Sequence, residues 1–457
     1  VREGQVYFIS RPRRFGKSLL VSTLMEAFSG SRELFSGLHL EDNWDWERRH
    51  PVILLDFAQG VLDSRKRLDE RVNRMIELQG EAFKVKLGQK EPGDRLEELI
   101  LKLRKAFGER VVVLVDEYDK PILDTLERPE AALELREGLK NIYGALKGRD
   151  ADLRFVLLTG VSKFSKVSLF SGLNNLEDIT LDPRFATLCG YTQAELEDVF
   201  AEYLEGLDLA EIRRWYNGYS FLGEPVYNPF DVLLYLRNRD FRSYWFETGT
   251  PAFLIKLLKA RRYNIPSMDD LEAGEKLLGS FDVDFIEPEP LLFQTGYLTI
   301  REKTRQAGRI KYRLGYPNLE VRMSLTDALL DSLTPESQPK ERTHDRIFAA
   351  LEADDPKGLN RAFHAFFASI PHDWHRRNDI ADYEGYYASV VYCYFAALGL
   401  QVVPEDSTAA GEGSISASAS REGSICSNSR SMSLRSRAGR WSSSRRGDIM
   451  KSSRDIP

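Results

Sequence analysis

Two short runs and one isolated threonine carry residue types that could do chemistry together. Gly16, Lys17 and Ser18 follow the basic turn Arg11-Pro12-Arg13-Arg14-Phe15, which itself follows the apolar run Val6–Ser10. A lysine and a hydroxyl at the mouth of a glycine turn suit a phosphate chain. N–H donors at a helix start cradle the phosphates, Lys17 reaches the β/γ-phosphates and Ser18 ligates Mg²⁺. The second run is Asp116-Glu117, directly after Val111–Val115 (VVVLV). Asp116 there suits a Mg²⁺ shell, and Glu117 suits the orientation and deprotonation of an attacking water. Thr159 ends the run LRFVLLT. It is read with equal weight as a γ-phosphate sensor or as a residue closing a strand.

In the P-loop pattern G-x-x-x-x-G-K-[ST], the first glycine falls at Arg11. The loop therefore cannot turn on that glycine, while the guanidinium groups of Arg13 and Arg14 suit phosphate. A GKS on a basic turn can arise by chance. The flanking strand and helix signals, and the acidic pair after an apolar strand, argue against chance here. The expected nucleotide contacts are Arg13, Arg14, Phe15, Gly16, Lys17, Ser18 and Asp116, with Ser18 and Asp116 on Mg²⁺. Lys17, Glu117 and Thr159 are the expected catalytic residues.

These residues need a sheet to hold them. VYFIS, PVILLDF, VVVLV and LRFVLLT read as strands buried on both faces, and 65–86, 94–107 and 130–147 carry helical periodicity between them. Such alternation predicts a parallel α/β sheet with helices on both faces. The stretch from Val161 to Asp178 is polar and reads as a loop beside the nucleotide. Lys163 and Lys166 are weighed there as phosphate contacts, with a solvated basic loop preferred.

Composition sets the frame. The chain has 457 residues, 42% hydrophobic and 29% charged, with net charge −6. That is enough for two or three domains and gives no global argument for nucleic acid or an anionic membrane. The three cysteines, Cys189, Cys393 and Cys426, share no metal-ligand spacing and predict a reducing, cytoplasmic setting. No apolar run approaches ~18 residues, so no membrane partner is expected. The chain starts at Val1 almost on a strand, and a missing N-terminus is expected.

Further along, Thr192 and Glu195 have capping-box spacing ahead of a helix ending near Tyr203. Trp215, Tyr216, Tyr219, Phe221 and Tyr227 cluster around Asn217-Gly218 and read as packing of a small helical lid rather than stacking on a base. Leu291–Thr299 and Arg309–Tyr316 read as strands, so helices plus a hairpin predict a winged-helix-like module. Its basic residues do not cluster enough to indicate DNA contact. Residues 343–368 and 383–399 read as helices, and Leu400–Val403 begins a strand. His372 and His375 could share a helix face, but with no further ligand nearby a metal site is not expected.

The last stretch changes character. Glu412–Pro457 holds fifteen serines and eight arginines in 46 residues, and is expected to be disordered or translated out of frame. A one-base shift over Ile425–Arg430 (ICSNSR) permits MFEFK, a word containing E-x-K.

The strings SRPRRFGKSLL, VVVLVDEYDKPIL, LLTGVSKFSKVSLFSGLNNLEDIT, WYNGYSF with VYNPFDVLLYL, and YEGYYASV resemble a bacterial AAA-ATPase-like family, often fused to a C-terminal nuclease-like domain of the PD-(D/E)XK superfamily. The resemblance covers about residues 1–410. It implies that Arg11 is a family trait, that a YVDKT-like stretch normally precedes the first strand, and that Glu384 is the helix glutamate of the nuclease. The nuclease's metal-binding Asp and its E-x-K would fall after residue 410, so the chain as written should not cleave nucleic acid. An arginine finger is expected but not assigned, within this chain or from a neighbouring subunit of a homo-oligomer.

The resulting fold class is α/β. Residues 1–185 form a P-loop NTPase domain of AAA+/STAND-like kind, 186–335 a helical lid and winged-helix-like region, 336–410 an incomplete nuclease-like remnant and 411–457 the tail. The expected function is Mg²⁺-assisted ATP hydrolysis that drives or gates a C-terminal effector. The alternatives are a nucleotide-gated binding module with little turnover, a damaged ATP-regulated nuclease, and nucleic-acid binding through the C-terminal region.

Overall fold

A computed structural model describes residues 5–163, 175–247, 252–275, 286–334, 340–370, 386–408, 412–419, 430–437 and 440–445. It divides into two compact units, the first formed by Val1–Arg213, Asn217–Arg239 and Glu272–Arg313.

The first unit is built on a parallel sheet. Its elements in chain order are β1 (Val6–Ser10), α1 (Lys17–Ser29), β2 (Val52–Asp56), α2 (Arg65–Ala82), α3 (Pro92–Phe107), β3 (Val111–Asp116), α4 (Pro129–Lys147), β4 (Leu153–Gly160) and β5 (Leu176–Asp178). The strand order is β2-β3-β4-β1-β5. β4 therefore lies between β1 and β3. Every residue of β1 and β3 is buried, which is why those strands read as continuous apolar runs rather than alternating ones. On one face Tyr7, Ile9, Val112, Leu114, Phe155 and Leu157 meet Val21 and Phe28 of α1. α2, α3 and α4 pack on one another and bury Leu68, Val72, Leu99, Ile100, Leu139 and Ile142. Each such side chain contributes about 1.5–3 kcal/mol on burial.

Beyond the sheet come α5 (Gln193–Val199), α6 (Leu209–Tyr216) and α7 (Pro229–Asn238). The Thr192–Glu195 capping box is formed in both directions. Later in the chain lie α8 (Ala252–Ala260), β6 (Leu271–Gly274), α9 (Pro288–Gln294), β7 (Thr299–Gln306) and β8 (Arg309–Gly315), with sheet order β6-β8-β7. The first half of the expected strand Leu291–Thr299 is instead helical. Pro288 sits at the start of α9, where its fixed φ favours a helix, and a short apolar run alone does not distinguish the two.

The second unit comprises Arg214–Tyr216, Asp240–Leu271 and Leu314–Pro457. It holds α8, α10 (Leu319–Leu333), α11 (Lys340–Glu352), α12 (Pro356–Ser369) and α13 (Tyr386–Ala397). The single helix read over 343–368 is two helices, because Asp354 takes φ 51° and Pro356 opens the next one. In α13 all residues from Ser389 to Ala396 are buried. Tyr392 donates to Asp269 at 2.8 Å, and Arg322 reaches the same carboxylate oxygen at 3.2 Å.

Four antiparallel strands follow, β9 (Gln401–Thr408), β10 (Glu412–Ala419), β11 (Arg430–Arg437) and β12 (Arg440–Arg445), in order β12-β11-β10-β9. The disorder expected from composition does not describe these residues. The period-two alternation in SISASA and SMSL matches a strand even where apolar content is low. Among the described residues no helix is long and apolar enough to cross a membrane.

Candidate functional site

The C-terminal ends of β1, β4 and β3 lie side by side. Ser10 is paired with Gly160, and Val115 with Leu158. From this edge the chain leaves β1 into the basic turn. Gly16 then takes φ +84°, a left-handed conformation that favours glycine, and starts α1. No side chain caps this helix start and nothing lies within 4 Å of where a Cβ on Gly16 would be. The first turn thus offers backbone donors to an anion.

Lys17 is buried, and its ammonium donates to the carbonyls of Arg11 and Pro12 at 3.0 and 2.9 Å. Burial lowers its pKa, opposed by the charges of Asp119, Glu117 and Asp116. Ser18 is exposed in the first turn of α1. Asp116 is buried, and its Oδ1 accepts the Thr159 hydroxyl at 2.5 Å and the Glu117 N–H at 3.1 Å. Thr159, fully buried, therefore orients the Asp116 carboxylate directly. Glu117 is half-buried with φ 51°, an uncommon conformation for glutamate. Burial raises its carboxyl pKa, with Lys17 pulling the other way.

The basic turn does something different from what its composition indicated. Arg11 is completely buried and faces carbonyls rather than an open loop. It donates to Leu188 O, Ser10 O, Thr180 O and Phe185 O at 2.8–3.0 Å, and its guanidinium lies 3.9 Å from the centroid of Phe221. Desolvation lowers its pKa to about 10. Phe15 is also fully buried and meets Tyr219 edge-on at 4.7 Å and Phe221 at 6.2 Å. Arg14, at φ 65°, is exposed with its guanidinium 4.9 Å from the ring of Phe230. Arg13 is exposed. Arg11 and Phe15 thus anchor the loop, leaving Arg13 and Arg14 as the outward-facing cations of the turn.

The aromatic cluster divides accordingly. Tyr219 and Phe221 pack on the P-loop, and the Tyr227 hydroxyl donates to Gln193. Trp215 and Tyr216 stack on Phe241 within the second unit. Lys163 is tied rather than solvated, with its ammonium 2.5 Å from Asp178 and its N–H donating to Gln294 at 2.7 Å. Lys166, His372, His375 and Glu384 lie outside the described residues.

One residue escaped the sequence reading. Asp119 is buried and accepts from Val161 N, Ser162 N and the Ser162 hydroxyl at 3.0, 2.6 and 2.6 Å. It fixes the chain leaving β4 and is the strongest opposite charge acting on Lys17. The signal was its place in the run Asp116-Glu117-Tyr118-Asp119, three residues beyond a buried strand end. Gly160 is required for this lock, since a Cβ there would sit 2.6 Å from Asp119 Oδ1 and from the Tyr118 ring.

The donor set fits a Mg²⁺–nucleotide. Among the described residues no three His, Cys, Asp or Glu converge on a point. Mg²⁺ is commonly held by one or two carboxylates plus substrate phosphates and water rather than by an all-protein cage, and one carboxylate with one hydroxyl, Asp116 and Ser18, matches that mode.

Residues 1–170 match a family model described as predicted AAA-ATPase. An uncharacterized protein from the vnfD 5′ region of Azotobacter chroococcum mcd 1 is 53% identical over 411 residues, covering 90% of this chain and 80% of that protein.

Proposed function

Because residues 1–170 form a domain of the predicted AAA-ATPase family, we propose that this chain binds ATP with Mg²⁺ at the C-terminal ends of β1, β3 and β4 and hydrolyses it. The observation that carries this reading is that Asp116, Glu117 and Thr159 at the adjacent ends of β3 and β4 share one electrostatic environment with Lys17 at the start of α1. The open start of α1 receives the phosphates, and Lys17 exchanges its two carbonyl partners for β/γ-oxygens. Ser18 and Asp116 hold the metal, with the Asp116 carboxylate oriented by Thr159. Mg²⁺, when bound, supplies charge neutralisation at the phosphoryl oxygens. Glu117 orients the attacking water and takes its proton, a task suited by a carboxyl whose pKa burial has raised. Arg13 and Arg14 face the incoming nucleotide, and an arginine finger comes from this chain or a neighbouring copy.

A gating role is favoured by one specific observation, the burial of Phe15 between Tyr219 and Phe221. A change in the loop on nucleotide binding is felt by the 219–230 segment, so turnover drives or gates an effector. We further propose that residues 336–410 are the start of a nuclease-like domain and that the protein works in the cytoplasm.

Lys17→Ala abolishes ATP binding in equilibrium dialysis. Glu117→Gln keeps binding, while steady-state phosphate release falls by about 10²–10⁴-fold. If both variants turn over ATP like the parent chain, the assignment is wrong. A burst followed by very slow release in the parent chain identifies the switch rather than the working ATPase.

A further inference from the structure

The hairpin β7–β8 carries six cations within thirteen consecutive residues. Its strands are joined by Ala307 and Gly308 alone, at φ 49° and 80°, the signature of a two-residue type I′ turn. Between Arg301 and Arg313 the chain carries Arg301, Lys303, Arg305, Arg309, Lys311 and Arg313 against the single acid Glu302, a net +5 in a protein of net −6. Residues 301–309 and Arg313 are exposed, whereas Thr299, Ile300 and Tyr312 are buried and root the ribbon.

A two-residue turn sets Gln306 opposite Arg309, and therefore Glu302 opposite Arg313. The 3.7 Å approach of that last pair agrees with this register. Arg301, Lys303 and Arg305 then fall on one face, and Arg309, Lys311 and Arg313 on the other. Lys311 meets Glu272 at 3.1 Å, and this and the Arg313–Glu302 contact are exposed pairs that water screens. Both faces of the hairpin thus carry cations, while β6 lies along the other edge of β8.

We infer that this hairpin binds the backbone of duplex DNA by entering the major groove. Three features select this partner. A major groove about 12 Å wide admits a two-stranded β-ribbon. Phosphates line both of its walls and so meet both cationic faces, whereas a membrane surface would engage one. The major groove of A-form RNA is too narrow for such a ribbon. The contacts reach the backbone, so binding is independent of sequence and falls with salt. This inference does not rest on the ATPase reading, and its test uses no nucleotide.

The experiment is a fluorescence-anisotropy titration of the full chain against a labelled mixed-sequence duplex across about 50–200 mM salt. Lys303→Gln/Arg305→Gln/Arg309→Gln is expected to weaken binding at least ~10-fold and to reduce the salt slope by about 2.7, near 0.9 per lost contact. Arg305→Lys/Arg309→Lys keeps the charge and keeps the binding. Lys66→Gln/Arg67→Gln/Arg74→Gln, which removes the same charge from α2, leaves both quantities unchanged, as does Arg435→Gln/Arg437→Gln/Arg440→Gln in β11 and β12. The inference is overturned if the parent chain shows no salt-dependent binding to the duplex. It is equally overturned if the α2 or the β11–β12 variant loses as much affinity as the hairpin variant, or if vesicles of phosphatidylcholine and phosphatidylserine compete as well as unlabelled duplex.

Discussion

Glu117 and Arg11 are both polar residues at strand ends, and their surroundings give them opposite roles. Arg11 is enclosed by four carbonyls and an aromatic ring, so its charge is used internally. A lysine could not reproduce this planar fork of donors. Glu117 is half-buried in a left-handed conformation, with the positive charges of Lys17 and Lys120 opposing the effect of burial. Its raised pKa has a definite sign in stability. Between the ordinary value of 4.5 and the folded value, the native chain keeps a proton that the unfolded chain has released. Stability contributed by Glu117 therefore falls as pH rises through that window, and Glu117→Gln removes the slope. Urea midpoints measured from pH 4 to 8 should show the variant gaining on the parent chain as pH rises. Equal profiles would mean that Glu117 is not desolvated.

At the scale of elements, the loop between β1 and α1 is held at its base by Arg11 and at its tip by Phe15. Both contacts reach the 219–221 segment, which closes on itself through the Tyr219–Val226 bridge. A P-loop lacking its first glycine can therefore be ordered by anchoring side chains rather than by a glycine turn. Loosening the anchor makes phosphate binding bear the ordering of the loop. Phe15→Leu and Tyr219→Leu should each raise KM for ATP about tenfold with kcat within about twofold, and together less than additively. Unchanged KM values in both would reduce the anchor to packing alone.

For the whole molecule, the P-loop, Walker B pair and basic hairpin all belong to the first compact unit. The second unit is held by apolar burial along α13 and by the Asp269–Arg322–Tyr392 network. Ligand stabilisation should therefore appear in the melting of the first unit. At 100 times its Kd, MgATP contributes about 2.7 kcal/mol, a rise of roughly 5 °C for a unit of this size. ATP with EDTA should raise the melting temperature less. Identical shifts with and without Mg²⁺ would remove Ser18 and Asp116 from a metal site.

The strands, their parallel sheet and the residues at their ends were legible in the sequence because continuous burial leaves an apolar run, and a glycine-lysine-serine turn or an acidic pair stands out against it. Thr192 and Glu195 were legible for the same local reason, since a capping box needs only four residues. Other features depended on distant partners. Arg11 and Phe15 became anchors only when Phe185, Leu188, Tyr219 and Phe221 closed around them. Asp119 joined Lys17 only when β4 delivered Val161 and Ser162. The six cations of the hairpin all lie between Arg301 and Arg313, but which face each one occupies follows from the two-residue turn. Local periodicity and short-range chemistry were determined by the sequence alone. Which polar groups face one another was decided by tertiary structure, because burial and electrostatic pairing depend on what the fold brings close in space.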